Sequence, residues 1–331
     1  MDIKDWGEDS FIQFIAETFP VSPPITGIGD DCAVIPIDQE MAWLVTTDAL
    51  VEGVHFLKDQ ISPHDLGYKA IAVSVSDIAA MGGLPNHAFL SIALPKNTDR
   101  NWLHKLMEGI KEACQKWGIL LLGGDTVGSK KDIFLNITLT GTANQSKIKY
   151  RSHAIPGDII CVTEHLGDAA GGLKALQENV MRTPEVEYLL HTHFHPEVHL
   201  EQGIWLASQT GVHAMMDLSD GLHTDLRRLI KSSQKGAVVD VSNLPISGPL
   251  SRASADNGWN ALQLAISGGE EYCLLLTASS EAFNDLQQAY EVKFKMPLHN
   301  IGRIVDAPTD LIYQKHGKSI QLELANFDHF Q

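Results

Sequence analysis

Six short acidic, glycine-rich segments punctuate this chain: Gly27-Ile28-Gly29-Asp30-Asp31, Thr46-Thr47-Asp48, Ser76-Asp77, Gly123-Gly124-Asp125, Asp217-Leu218-Ser219-Asp220-Gly221 and Ser267-Gly268-Gly269-Glu270-Glu271. Several follow apolar runs of strand length, and between them lie stretches with helical spacing. Strands and helices in alternation point to an α/β or α+β architecture in both halves. Small residues let a backbone approach a ligand closely. Carboxylates beside them are the hard oxygen donors that Mg²⁺ prefers, above all when phosphates complete its shell. Gly, Asp and Ser also dominate ordinary turns, so any one segment alone reads as a turn. Six together are harder to dismiss.

Residues 8–19 carry Phe11, Ile12, Phe14, Ile15 and Phe19 on one helical face. Met41–Val45 reads as a strand ending at Thr46-Thr47-Asp48, and Asp65–Met81 as a small-residue helix with Asp77 in its last turns. A second helix spans Asp99–Trp117, with Trp102, Leu103, Leu106, Met107, Ile110 and Cys114 at the 3.6 period. Ile119–Leu122 reads as a buried strand with Asp125 just past its carboxyl end, where ligands of α/β sheets gather. Ile133–Thr142 is a further strand. The polar stretch Asn144–Lys147 leads to Pro156-Gly157-Asp158, and 331 residues suffice for two cores. The expected division is 1–150 and 151–331. In the second part strands (Ile159–Thr163, Ala237–Val241, Tyr272–Thr277, Ile301–Val305) alternate with helices (Gly167–Gln177, Glu201–Gln209, Thr224–Lys231, Glu281–Tyr290).

The net charge of −16 argues against nucleic acid, which needs clustered Lys and Arg. A phosphorylated ligand would have to arrive with divalent cations. No apolar run approaches the roughly 20 residues of a membrane span. Met1–Trp6 is acidic and lacks the basic and apolar regions of a secretory signal, so a cytoplasmic location is expected. Cys32, Cys114, Cys161 and Cys273 lie far apart and read as reduced core thiols.

Three familiar motifs fail. In Gly123–Lys130 Ser129 intervenes where a P-loop lysine must directly follow glycine, and Asp125 would repel phosphate without a metal between them. Asp217–Gly221 lacks the fifth and twelfth ligands of a calcium loop, where Gly221 and Arg228 stand. His191, His193, His195 and His199 could bind zinc, but Pro196 interrupts the helix such ligands need. A polar interdomain loop is the expectation. No GxSxG elbow or adjacent Cys–His pair marks a nucleophile, and no acid/base residue stands out.

In order, GIGDDCAV (Gly27–Val34), TTDALVEGVHF (Thr46–Phe56), KAIAVSVSDIAAMG (Lys69–Gly82), LGGDT (Leu122–Thr126), RSHAIPGD (Arg151–Asp158), DLSDGL (Asp217–Leu222), SGGEEY (Ser267–Tyr272) and FDHF (Phe327–Phe330) resemble the thiamine-monophosphate kinase family over most of the chain. TTDALVEGVHF is the most specific of them. The resemblance implies a two-domain, aminoimidazole-ribonucleotide synthetase-like fold. Its N-terminal α/β domain binds ATP and dimerises through its sheet, and a C-terminal α/β domain closes over it. It implies a homodimer that transfers the γ-phosphate of ATP to thiamine monophosphate, directly and in line, giving thiamine diphosphate and ADP. It further implies an Mg²⁺ set of Asp31, Thr46, Thr47, Asp48, Asp77, Asp125, Asp217 and Asp220. Gly124, Asp125, Arg151 and Ser219 correspond to ATP contacts, and His55, Glu270 and Phe327 to substrate contacts. Met107 falls near a position where relatives often carry an aromatic beside ATP. Phe327 replaces the usual Tyr or Trp, and the His-rich stretch corresponds to a family connector, HLxPxPR.

This chemistry fits the residues. The acceptor phosphate monoester, with a second pKa of about 6, is already mostly deprotonated and needs no general base. It needs charge cancellation, which metals on dispersed carboxylates supply. A cationic thiazolium suits an acidic, aromatic pocket. Two superfamily relatives fit less well. Selenophosphate synthetase wants a reactive Cys followed by Lys near its N-terminus, whereas Cys32 has no adjacent Lys. A hydrogenase-maturation enzyme wants a C-terminal Cys, whereas this chain reads Asp328-His329-Phe330-Gln331. A non-catalytic Mg²⁺ or nucleotide sensor is the alternative from another class.

Overall fold

Apolar runs build two mixed sheets in the computed structural model, which describes residues 6–307, 309–322 and 324. The first holds β1 (Ala33–Pro36), β2 (Met41–Val51), β3 (Leu84–Pro95), β4 (Leu120–Ser129) and β5 (Phe134–Asn144), in the order β1-β2-β5-β3-β4. Its neighbours are antiparallel except β3 and β4. The helices of this half are α1 (Glu8–Thr18), α2 (Pro63–Ala80) and α3 (Arg100–Trp117).

Helix α2 is central. It starts with Pro63 behind Ser62, whose hydroxyl accepts from the Asp65 amide at 3.0 Å. Leu66, Ile71, Val75 and Ile78 are all buried, as are the alanines between them, so the helix is apolar on nearly every side. Each such aliphatic side chain contributes about 1.5–3 kcal/mol of burial. A Cβ on Gly67 would lie 2.2 Å from the Leu106 carbonyl oxygen, and one on Gly109 1.9 Å from that of His64. Helices α2 and α3 therefore meet backbone to backbone, as only glycine permits.

The second sheet has the order β12-β11-β8-β10-β6-β9-β7. Its strands are β6 (Ile159–Val162), β7 (Val212–Asp217), β8 (Gly236–Asp240), β9 (Leu274–Ala278), β10 (His299–Val305), β11 (Leu311–Lys315) and β12 (Lys318–Ser319). Only β8 and β11 run parallel. Its helices are α4 (Asp168–Gln177), α5 (Pro184–Phe194), α6 (Leu200–Ala207), α7 (Leu222–Ser233), α8 (Gly248–Asn257), α9 (Ala261–Ser267) and α10 (Phe283–Phe294). Leu44, Ile71, Leu106, Leu135 and Ile137 belong to the first core, and Ile160, Leu226, Val239, Leu275 and Ile301 to the second. Helix α2 also packs on α6 and β7, so it lies where the halves meet.

Four sequence expectations change. Strand β2 does not stop at Thr46 but runs through Asp48 to Val51, because its pairing with β5 continues to Phe134. Ile119–Leu122 was expected to be a buried strand. Only Ile119 is buried, and Leu120 and Leu122 in β4 are 60 % and 58 % exposed, because β4 pairs with β3 alone and forms the sheet edge. Asp125 consequently sits inside a strand rather than past its end. The His191–His199 stretch is no polar loop: α5 continues to Phe194, and His193 and His199 are buried. Helix α1 does form, but none of its residues is buried. No helix among the described residues is long and apolar enough to cross a membrane.

Candidate active site

The acidic segments converge where α2 meets the two sheets. Alternation along β2 turns Thr46 and Asp48 toward α2 and Thr47 to the opposite face. Thr46 Oγ1 donates to Asp77 Oδ2, and Ser74 Oγ donates to Asp48 Oδ2 at 2.7 Å. Thr47 instead meets Asn136 and Thr138 of β5. Asp217, the last residue of β7, accepts from Ser76 Oγ at 2.7 Å. One helix, α2, thus presents Ser74, Ser76 and Asp77 to carboxylates from both halves.

Asp31, Asp77 and Asp217 each offer an oxygen within 4.8 Å of the others, the one such group of His, Cys, Asp or Glu among the described residues. Burial pushes the Asp77 carboxyl well above the usual range, and Asp48, Asp217 and Asp31 push it further. Burial, then Asp31, does the same to Asp217. Burial also raises Asp48, and burial with Asp31 brings Asp30 up to about 7. Arg151 Nη2 lies 2.5 Å from Asp31 Oδ1, and the Arg151 amide donates to Asp30 at 3.2 Å. That single guanidinium cannot balance the group. Crowded carboxylate oxygens with unmet negative charge fit a hard divalent cation such as Mg²⁺.

The expected metal set does not form one cluster. Asp220 faces Arg228, which also pairs with Asp225 at 3.1 Å, and the Asp220 amide donates to Asp225 at 2.9 Å. Asp125 lies exposed on β4, three strand positions from β2. Its neighbour Gly124 is obligatory, since a Cβ there would fall 1.7 Å from the Leu90 carbonyl oxygen. The Ser219 carbonyl accepts from the Glu270 amide at 2.7 Å. His55 Nδ1 accepts from the Val51 amide at 3.1 Å in the turn after β2. Phe327 lies outside the described residues.

Glu270 departs most from expectation. Rather than offering a free charge, its carboxylate lies 2.9 Å from Lys69 Nζ and 3.1 Å from His193 Nδ1. Burial alone would raise its carboxyl, but Lys69 and then His193 outweigh that and bring it down to about 2. Sequence reasoning gave no role to Lys69 or Ser74, read Ser76 only as part of an acidic segment and weighed His193 only as a zinc ligand. The available signal was a lone lysine in an otherwise apolar helix. All four cysteines are free and buried. Burial, followed by nearby carboxylates, pushes the Cys32 thiol well up, which argues against a thiolate nucleophile beside the acidic group.

Comparison with known proteins decides between the candidate kinds of enzyme. Residues 29–143 match the model of the AIR synthase related protein N-terminal domain, and residues 156–314 match that of its C-terminal domain. The chain is 36 % identical over 306 residues to thiamine-monophosphate kinase of Escherichia coli strain K12, covering 92 % of this chain and 91 % of that protein. It is 33 % identical to the Bacillus subtilis strain 168 enzyme over 309 residues, covering 92 % and 93 %. The chain belongs to the thiamine-monophosphate kinase family. It is an enzyme of that kind, a kinase built from two such domains. A solved structure titled AaThiL complexed with AMPPCP and TMP superposes with a TM-score of 0.87 at 30 % identity, covering 99 % of both chains. Another, thiamine monophosphate kinase from Aquifex aeolicus, gives 0.83 at 29 %, covering 97 % of this chain and all of that one. The hydrogenase maturation protein HypE of Escherichia coli, at 20 % identity and a TM-score of 0.71, covering 97 % of this chain and all of that one, shares the fold.

Proposed function

We propose that this kinase transfers the γ-phosphate of ATP to thiamine monophosphate, giving thiamine diphosphate and ADP, by direct in-line displacement. The observation that carries the reading is the meeting of Asp31, Asp77 and Asp217, from three distant segments, in a chain of this family. The division at residue 150 assigns Asp31, Thr46, Asp48 and Asp77 to an ATP-binding half and Asp217, Asp220 and Glu270 to a half that completes the site. Asp31, Asp77 and Asp217 would hold Mg²⁺, with Thr46 and Asp48 beside them. When bound, Mg²⁺ supplies neutralisation of the phosphate charge and alignment of the reacting oxygens. Arg151, Gly124, Asp125 and Ser219 are proposed ATP contacts, and His55 and Phe327 acceptor contacts. Ser74 and Ser76 keep Asp48 and Asp217 oriented. The acceptor phosphate carries its own negative oxygen, so no side chain need remove a proton.

We also place the enzyme in the cytoplasm as a homodimer. Trp43, Phe89, Leu120, Leu122 and Val127 leave an apolar edge and face exposed on the first sheet, and such edges are normally covered. Asp125 and Thr47 share that uncovered side of the sheet. The enzymatic reading is tested by ADP release with and without thiamine monophosphate, in Mg²⁺ and in EDTA. Release that needs both acceptor and Mg²⁺ supports it. Release indifferent to thiamine monophosphate contradicts it.

A further inference from the structure

Lys69 stands in the middle of α2 with 2 % of its surface exposed, where an ammonium is tolerated only when paired. Besides its contact with Glu270 Oε1, its Nζ donates to the His193 carbonyl at 3.0 Å. His193 Nδ1 approaches the other Glu270 oxygen to 3.1 Å, without the alignment of a hydrogen bond. Three separate segments therefore meet: the middle of α2, the last turn of α5 and the loop after α9.

That loop has an unusual backbone. Glu270 and Tyr272 sit at φ 66° and 51°, a left-handed region that non-glycine residues keep only where their surroundings impose it. The Glu270 and Tyr272 amides donate to the Ser219 and Leu218 carbonyls at 2.7 and 2.8 Å. The loop is thereby laced to the segment between Asp217 and Asp220. Two turns beyond Lys69 on the same face of α2, Ser76 bonds Asp217 and reaches the Tyr272 carbonyl at 3.4 Å. One helix face thus anchors both a metal-site carboxylate and this loop, by independent contacts.

We propose that Lys69, aided by His193, is a positioning residue: it engages the Glu270 carboxylate and so fixes the shape of the Ser267–Tyr272 loop, which forms the acceptor side of the site. The inference rests on the thiamine-monophosphate kinase reading. Lys69 keeps the Glu270 carboxylate ionised and in one orientation.

The test compares the full-length enzyme with Lys69→Met, Glu270→Gln and the double variant. Lys69→Met should raise KM for thiamine monophosphate by about tenfold while KM for ATP stays within about twofold. Amide hydrogen exchange at Glu270 and Tyr272 should speed by about tenfold, with β2 and β5 unchanged. The double variant should do no worse than Lys69→Met, because the partners act as a unit. Unchanged exchange and unchanged KM in a folded Lys69→Met protein would overturn the proposal, and so would equal rises in both KM values. Should Lys69→Met fail to fold, Glu270→Gln carries the same two readouts, with the same results for and against. Should the parent enzyme show no turnover of thiamine monophosphate, the functional reading fails, while the exchange comparison still decides whether Lys69 holds the loop.

Discussion

Replacing Asp77 by asparagine should make the metal-free protein more stable and the enzyme inactive. Asp77, Asp31 and Asp217 present oxygens within 4.8 Å of one another. Two full charges at that separation repel by about 3.5 kcal/mol at an effective dielectric of about 20. Burial and its neighbours raise the Asp77 carboxyl; Arg151 on Asp31 offsets part of the repulsion, so the relief is smaller, about 1–3 kcal/mol. Asparagine keeps an oxygen to accept from Thr46 and adds an amide that can donate to Asp31 or Asp217. At about 2–4 °C per kcal/mol for a domain of this size, Tm in EDTA should rise by about 2–12 °C. The assay is thermal unfolding followed by circular dichroism, in EDTA and in millimolar Mg²⁺. Mg²⁺ should raise the Tm of the parent and move the variant much less, because a ligand that binds only the folded state stabilises in proportion to its affinity. A variant that melts below the parent in EDTA yet keeps the full Mg²⁺ shift and full turnover would refute the reasoning.

Asp220→Asn should lower turnover by about 10–100-fold with little change in Tm, since its partly exposed partner Arg228 keeps Asp225; steady-state kinetics beside a melting curve checks this. The Glu270 carboxyl lies near 2 when folded, below its unfolded value. The stability it confers is therefore present above about pH 4.5 and lost as pH falls toward about 2. The Tm gap between parent and Glu270→Gln should be flat near neutrality and close on the acid side; a gap that widens toward low pH would contradict the sign. Sedimentation should give about twice the 36.3 kDa chain mass, and Leu122→Lys on the exposed β4 edge should shift it toward one chain; an unchanged, fully active single chain would remove the dimer.

The acidic segments were legible because Gly, Asp and Ser near strand ends form a local pattern that needs no long-range information. Asp31, Asp77 and Asp217 duly meet. Alternation could have separated Thr47 from Thr46 and Asp48, had β2 been followed past Val45. The exposure of Leu120–Leu122 was not legible, since apolar residues are written alike for a sheet centre and for an edge that another chain can cover. β7 was missed because Val212–Asp217 lacks clean alternation, α8 because Leu250 is its one large apolar residue, and α9 because it has only seven residues. The pairing of Lys69 and His193 with Glu270 was not legible, for a deeper reason. Their partner is far away in the chain, and only the packing of α2, α5 and the loop after α9 brings the charges together.

The most direct test of the account follows the label from [γ-³²P]ATP by rapid quench, with the fate of phosphate read on thiamine monophosphate, protein and solvent. Direct transfer beside a carboxylate-bound metal predicts label in thiamine diphosphate alone, in step with ADP, none retained on the protein, and none transferred in EDTA. Label held covalently by the protein, or released as inorganic phosphate at the same rate without the acceptor, would contradict it.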